Sequence, residues 1–420
     1  MEDTSDRVEV PGHGEVTVHG HAAPGFEGVR AAFTANFVRH GEVGAAFCLV
    51  VDGRTVVDLW GGVADVASGA PYERDSLQLV FSSTKGVTAL CAALLARRGV
   101  LDVDAPVAEL WPEFAARGKA GIPVRWLLCH KAGLPYIDTP VGLDDLLAWD
   151  PAVDALAAMA PLWEPGTAHG YHAVTFGWLV GEVIRRAAGR SVGRFLADEV
   201  AGPLGLDLWI GLPAEHQRRV APLTNRALPE VGADRPSSAG PAGSGMVAEL
   251  ERVLGPDSML VRALGASVAL PLAGDGVFNR PEVRAAELPS ANGVTTARSL
   301  ARMYAAVIGA VEGVSSGPLL APEDVAAVST TQTSGTDRTL LVDSTFGLGF
   351  MTSSPVSPYG GPRSFGHTGA GGSVGFADPE NGLGFGYVMN RMAAGLAGDP
   401  RSSALVRAAY EAIGVPPRFA

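Results

Sequence analysis

The hydrophobic and polar positions of this chain change period along its length, and the changes mark out its elements. Residues 26–40 have the spacing of a first helix. Ala45–Val51 and Thr55–Leu59 alternate as two strands, with Asp52-Gly53 between them as a hairpin signal. Val87, Leu90, Cys91, Leu94 and Leu95 form a helical apolar stripe that Gly99 closes. Ser82 then stands at the helix N-terminus, with Lys85 one turn on along the same face. Helical spacing returns at Phe176, Leu179, Val180, Val183 and Ile184, and again at Leu300, Met303, Tyr304, Val307 and Ile308. Strands are expected at Phe346–Met351, Gly372–Ala377 and Gly384–Met389, with Pro379-Glu380-Asn381-Gly382 as a turn. A last helix spans Arg401–Gly414. Gly232–Gly245, rich in Pro, Ser and Gly, reads as a loop.

Strands at both ends and helices between predict an α+β fold with one antiparallel sheet built from both termini. Residues 1–104 and 286–420 would form the discontinuous α/β domain, and 105–285 a mainly helical insertion. At 420 residues, with 47% hydrophobic and 18% charged, the chain can build a large core. The net charge of −12 and the lack of a basic run exclude nucleic acid as an expected partner. Met1-Glu2-Asp3-Thr4 is acidic with no apolar segment behind it, and no long apolar run follows. A cytoplasmic protein without membrane contact is expected, with homo-oligomerisation left open. Cys48, Cys91 and Cys129 read as buried free thiols.

Of 32 Lys and Arg residues only three are lysine: Lys85, Lys119 and Lys131. A position that keeps lysine in an arginine-rich chain invites chemistry that a guanidinium cannot do, such as losing a proton near neutrality. Ser82 alone would read as a helix cap. Phe81-Ser82-Ser83-Thr84-Lys85, however, has the Ser-x-x-Lys spacing of an activated serine nucleophile. Tyr171-His172-Ala173 and His367-Thr368-Gly369 follow in order.

With these blocks, and with Trp163-Glu164-Pro165-Gly166-Thr167 and Gly366-His367-Thr368-Gly369-Ala370-Gly371-Gly372, the chain resembles the serine β-lactamase and penicillin-binding-protein superfamily. The likeness runs from about Phe47 to Met392 and is greatest to the class C β-lactamase-like carboxylesterases called family VIII esterases. The resemblance implies that Ser82 attacks an ester carbonyl while Lys85 and Tyr171 share the proton transfers. The backbone N–H groups of Ser82 and Ala370 would form the oxyanion hole. His367, Gly369, Ala370, Phe81, His172 and Trp163 would line the substrate site, although Phe81 and Trp163 read equally well as core. No cofactor or metal is implied; His169 and His172 lack neighbours to complete a metal shell.

Two departures from the family pattern matter. Ala173 stands where a lactamase carries an asparagine, and His367 where it carries a lysine. Both point from β-lactams towards uncharged short-chain esters as the small-molecule substrate. An ammonium beside Tyr171 should lower its phenol pKa, and a neutral His367 should carry activity into mildly alkaline pH. An acyltransferase is the alternative, followed by a β-lactamase or D-aminopeptidase, then a silent binding protein.

Overall fold

The hairpin at Asp52-Gly53 joins two neighbouring strands of the main sheet. Both residues have positive φ, +46° and +78°, the pairing that a two-residue turn needs to match the right-handed twist of its strands. The computed structural model describes residues 3–225, 246–266, 276–315, 317–393 and 398–418. The expected loop at Gly232–Gly245 lies outside them.

Five strands come from the N-terminal part: β1 (Thr4–Val10), β2 (Gly14–Ala22), β3 (Gly44–Val51), β4 (Arg54–Asp65) and β5 (Ala70–Pro71). A separate three-stranded sheet joins distant segments, β6 (Gln78–Leu79), β7 (Leu208–Trp209) and β8 (Val294–Thr295). Six more come from the C-terminal part: β9 (Thr333–Thr336), β10 (Asp343–Phe346), β11 (Met351–Thr352), β12 (Phe365–Thr368), β13 (Val374–Asp378) and β14 (Leu383–Met389). The main sheet runs β1-β2-β4-β3-β14-β13-β12-β11-β10-β9, with β5 paired to β4, and its pairings are antiparallel. The β3–β14 pairing, with Phe47 opposite Tyr387, joins the two ends of the chain. This is the serine β-lactamase-like α+β fold expected.

Two strand expectations needed revision. Phe346–Met351 is not one strand: Phe346 and Met351 face each other as partners across a turn. Gly349 has φ +84°, and Gly347 N–H donates to Phe350 O at 2.8 Å. Gly347 and Gly349 break the run although its apolar residues suit a strand. The β1–β2 hairpin was not anticipated, since β1 (Thr-Ser-Asp-Arg-Val-Glu-Val) is largely exposed and carries almost no apolar signal.

The five longest helices among the described residues are α1 (Glu27–Arg39), α2 (Ser83–Arg97), α3 (Phe176–Ala188), α4 (Ala297–Ile308) and α5 (Pro400–Ala412). α1 packs on α5, and α4 lies across β3, β13 and β14. α2 touches α3, β12 and β13, and its residues from Ser83 to Ala92 are all buried. A helix enclosed on every side is central rather than amphipathic. Lys85 is therefore carried into the interior. Among the described residues no helix is long and apolar enough to cross a membrane.

Candidate active site

The chain turns sharply just before α2. Phe81 has φ +43°, strained for a residue with a bulky side chain, and its ring packs edge-on against Phe278 with centroids 5.0 Å apart. Ser82 follows at the N-cap position, yet its side chain makes no capping bond. Its Oγ lies instead 3.0 Å from Lys85 Nζ.

Lys85 is fully buried, and burial holds its pKa well below the ordinary lysine range. Nζ also donates to the carbonyl oxygens of Ala173 at 2.6 Å and Ser290 at 3.0 Å. Carbonyls only accept, so these two consume both N–H bonds of a neutral amine. In the ammonium form the third N–H donates to the Ser82 hydroxyl, and in the neutral form the lone pair faces that hydroxyl. An amine so placed, with its pKa lowered, can accept the Ser82 proton.

Tyr171 lies beside this pair, with Lys85 Nζ 4.8 Å from its ring centre. Its backbone N–H donates to Asp337 Oδ1 at 2.9 Å, and its ring stacks on Phe346 at 5.9 Å. Burial raises the phenol pKa, a hydrogen bond to Ser82 works against that, and Asp337 adds to the rise. The expected lowering by the neighbouring lysine is overturned, because desolvation of the phenolate dominates. Tyr171 is neutral and can pass a proton rather than hold a negative charge.

The end of β12 is stapled to the start of α2. Ser83 Oγ donates to His367 O at 3.2 Å, and Ser373 Oγ to Val80 O at 2.8 Å. A side chain on Gly369 would collide with Val80 O and Ser373 Oγ, so only glycine allows this approach. The staple holds the backbone of Gly369, next to Ala370, against the turn that precedes α2. Among the described residues, no acceptor is found for the backbone N–H of Ser82 or of Ala370.

His367 Nδ1 lies 2.7 Å from Thr368 O, so it carries the proton. Nε2 is left as a buried acceptor without a partner among the described residues. Burial first, and then Lys85, bring the His367 pKa down to about 3. The imidazole is neutral far below the range considered from sequence, so it does not set an activity change near neutrality.

The remaining expected site residues divide. His172 Nε2 accepts from Leu134 N–H at 2.9 Å and Nδ1 lies 2.7 Å from Gly170 O. Both ring nitrogens are committed to backbone, which leaves none for substrate. Trp163 is buried, donates from Nε1 to Ala168 O at 3.2 Å and lies under Arg338. Phe81 contributes through its backbone turn and its packing. His130, with φ +62°, accepts from His172 N–H at 3.2 Å and packs between Tyr171 and Phe346. His169 Nε2 pairs with Ser344 Oγ at 3.0 Å.

Three contributors escaped sequence reading. Ala173 was noted for a missing side chain, whereas its carbonyl is the short partner of Lys85. Ser290 supplies the second carbonyl from a turn locked by Asn292, whose side chain bonds to Leu288, Val283 and Ala286. Asp337 is buried and accepts from Tyr171, Thr339 and Leu340 N–H groups and from Ser344 Oγ. A carbonyl carries no residue-type signal, and an aspartate in a turn resembles any surface turn residue.

A family model described as Beta-lactamase matches residues 29–408. The esterase/beta-lactamase LipL of Mycobacterium tuberculosis is 37% identical over 382 residues, covering 89% of this chain and 83% of its own. A crystal structure of a family VIII carboxylesterase is 38% identical with a TM-score of 0.81, covering 94% of this chain and 99% of that one. A penicillin-binding protein homolog from Caulobacter crescentus is also 38% identical, with a TM-score of 0.80 and the same coverage of both chains. A D-amino acid amidase from Ochrobactrum anthropi, at 22% identity, shares the fold. The match across most of the chain, together with the serine, lysine and tyrosine gathered at the start of one buried helix, places this protein in the beta-lactamase family.

Proposed function

We propose that the protein is a serine carboxylesterase that hydrolyses uncharged short-chain esters through an acyl-serine intermediate. The observation that carries this reading is the buried Lys85 amine, its pKa lowered by burial, held by two backbone carbonyls and 3.0 Å from the Ser82 hydroxyl. Lys85 Nζ takes the Ser82 proton as Oγ attacks the ester carbonyl. The oxyanion is met by the N–H groups of Ser82 and Ala370; one such donor is typically worth about 10²–10³ in rate. The proton then passes from Lys85 by way of the Tyr171 hydroxyl to the leaving alcohol, and the C–O bond breaks. Water enters, gives its proton back along the same groups, and releases the acid while Ser82 is restored.

The esterase relatives support ester over β-lactam chemistry. The site's own residues point the same way. Neutral His367 offers a carboxylate no positive charge, and Ala173 offers no side-chain amide. The mycobacterial relative's name includes beta-lactamase, so penicillins belong in the test. Intact mass spectrometry after brief exposure to p-nitrophenyl esters of increasing acyl length should show an acyl adduct that Ser82→Ala lacks. A chromogenic cephalosporin turned over faster than a short-chain p-nitrophenyl ester would overturn the assignment.

A further inference from the structure

Arg401, at the start of α5, is almost wholly buried and reaches the Ala370-Gly371-Gly372 turn. Its Nη2 donates to Gly371 O at 2.6 Å, an oxygen that also accepts from Ala393 N–H at 3.1 Å. Its other bonds anchor it firmly. Asp399 accepts from Nε and Nη2, and Glu42 Oε1 and Arg391 O accept from Nη1. Glu42 is held in turn by Tyr387. The guanidinium thus ties together the loop after α1, β14, α5 and the turn that carries Ala370.

The link to the reacting oxygen follows from peptide planarity. In a trans peptide the C=O and the next N–H point in opposite directions within one rigid plane. Fixing Gly371 O therefore fixes Gly372 N–H, which donates to Gly369 O at 3.1 Å. Fixing Gly369 O in the same way aims the N–H of Ala370. Gly371 and Gly372, at φ +85° and +125°, could otherwise swing freely. Side chains there would collide with Met392 and with Asp399 and Arg401.

We infer that Arg401 is a positioning residue that aims the Ala370 N–H at the oxyanion through two rigid peptide planes. The inference rests on the acyl-serine reading above. Arg401→Lys and Arg401→Met test it, with active sites counted by complete fluorophosphonate labelling of Ser82. For each labelled site, kcat should fall about tenfold or more, a part of what losing a donor costs. KM should move by less than about twofold, since the contact strengthens only in the transition state. The preference for an ester over its thionoester, which reports hydrogen bonding to the carbonyl oxygen, should shrink in parallel. Asp399→Asn keeps Arg401 and the helix cap but loosens the guanidinium, so it should show a smaller loss of the same kind. It decides the matter if the Arg401 variants do not fold. Wild-type kcat per labelled site, with only thermal stability or labelled fraction reduced, would overturn the inference. A wild-type protein that does not label at Ser82 would instead sink the acyl-serine reading, and this outcome is read before any variant is made.

Discussion

Lys85 donates to the backbone carbonyl of Ala173 at 2.6 Å, the shortest of its three contacts. The residue that lacks a lactamase side chain thus still serves the lysine, through an atom that every residue carries. What is kept at Ala173 is a carbonyl that orients the lysine.

Replacing Lys85 by Met should remove proton transfer without adding a buried charge. Activity on p-nitrophenyl acetate is expected to fall by about 10³, within the usual range for general acid–base catalysis. Lys85→Arg should be at least as inactive, because a guanidinium stays charged and its planar fork cannot reproduce the three contacts. Comparable activity in either variant, with circular dichroism unchanged, would remove Lys85 as the base.

The pH–rate profile should have a rising limb that follows loss of the Lys85 proton. Burial lowers that pKa, so the limb lies below the ordinary lysine range and the rate climbs as pH rises through it. His367, brought down to about 3, should leave no inflection near 6.5. A His367→Gln variant should keep the limb where it is. A limb displaced by more than about half a unit in kcat/KM profiles would implicate the imidazole.

Asp337→Ala should strip the acceptor from three N–H groups at once, those of Tyr171 and Thr339, which are buried, and of Leu340, which is partly so. Each such group typically costs about 1–3 kcal/mol, and partial relaxation makes a loss on the order of 3 kcal/mol reasonable. Urea unfolding measures it. kcat should fall as well, because Tyr171 loses its anchor. An unchanged midpoint and an unchanged kcat would show that the aspartate holds nothing.

Lys119→Arg should destabilise the protein by about 2 kcal/mol while kcat per active site stays at wild type. The Lys119 ammonium is buried and donates to the carbonyls of Ala116, Ala157 and Met159. Burial first, then Arg117, bring its pKa to about 8. Thermal melting with an active-site titration would reveal a catalytic effect, if there were one.

Lys119 also qualifies the argument from lysine scarcity. Both Lys85 and Lys119 are buried with three oxygen neighbours around Nζ, a tetrahedral arrangement that arginine meets poorly. Scarcity therefore marked positions that need a compact amine, and the Ser-x-x-Lys spacing then separated chemistry from scaffolding. Lys131, the third, is only partly buried.

Much of the fold was legible because continuous apolar runs mark its fully buried strands, as in β3, β13 and β14, and helical spacing of the large apolar residues marks α3 and α4. The β1–β2 hairpin was not, since an exposed edge strand needs no apolar residues. The run at Phe346–Met351 misled because two glycines outweighed its hydrophobicity.

The sequence by itself determined which residue types could carry the chemistry and their order along the chain, since Ser82, Lys85, Tyr171 and His367 each differ chemically from their surroundings. It could not reveal the protonation state of the base or the directions of the backbone groups around it. Those rest on the tertiary structure, where burial lowers the pKa of Lys85 and carbonyls from residues 173 and 290 orient it. A carbonyl or an N–H is the same in every residue, so its role exists only once the chain has brought it to a partner.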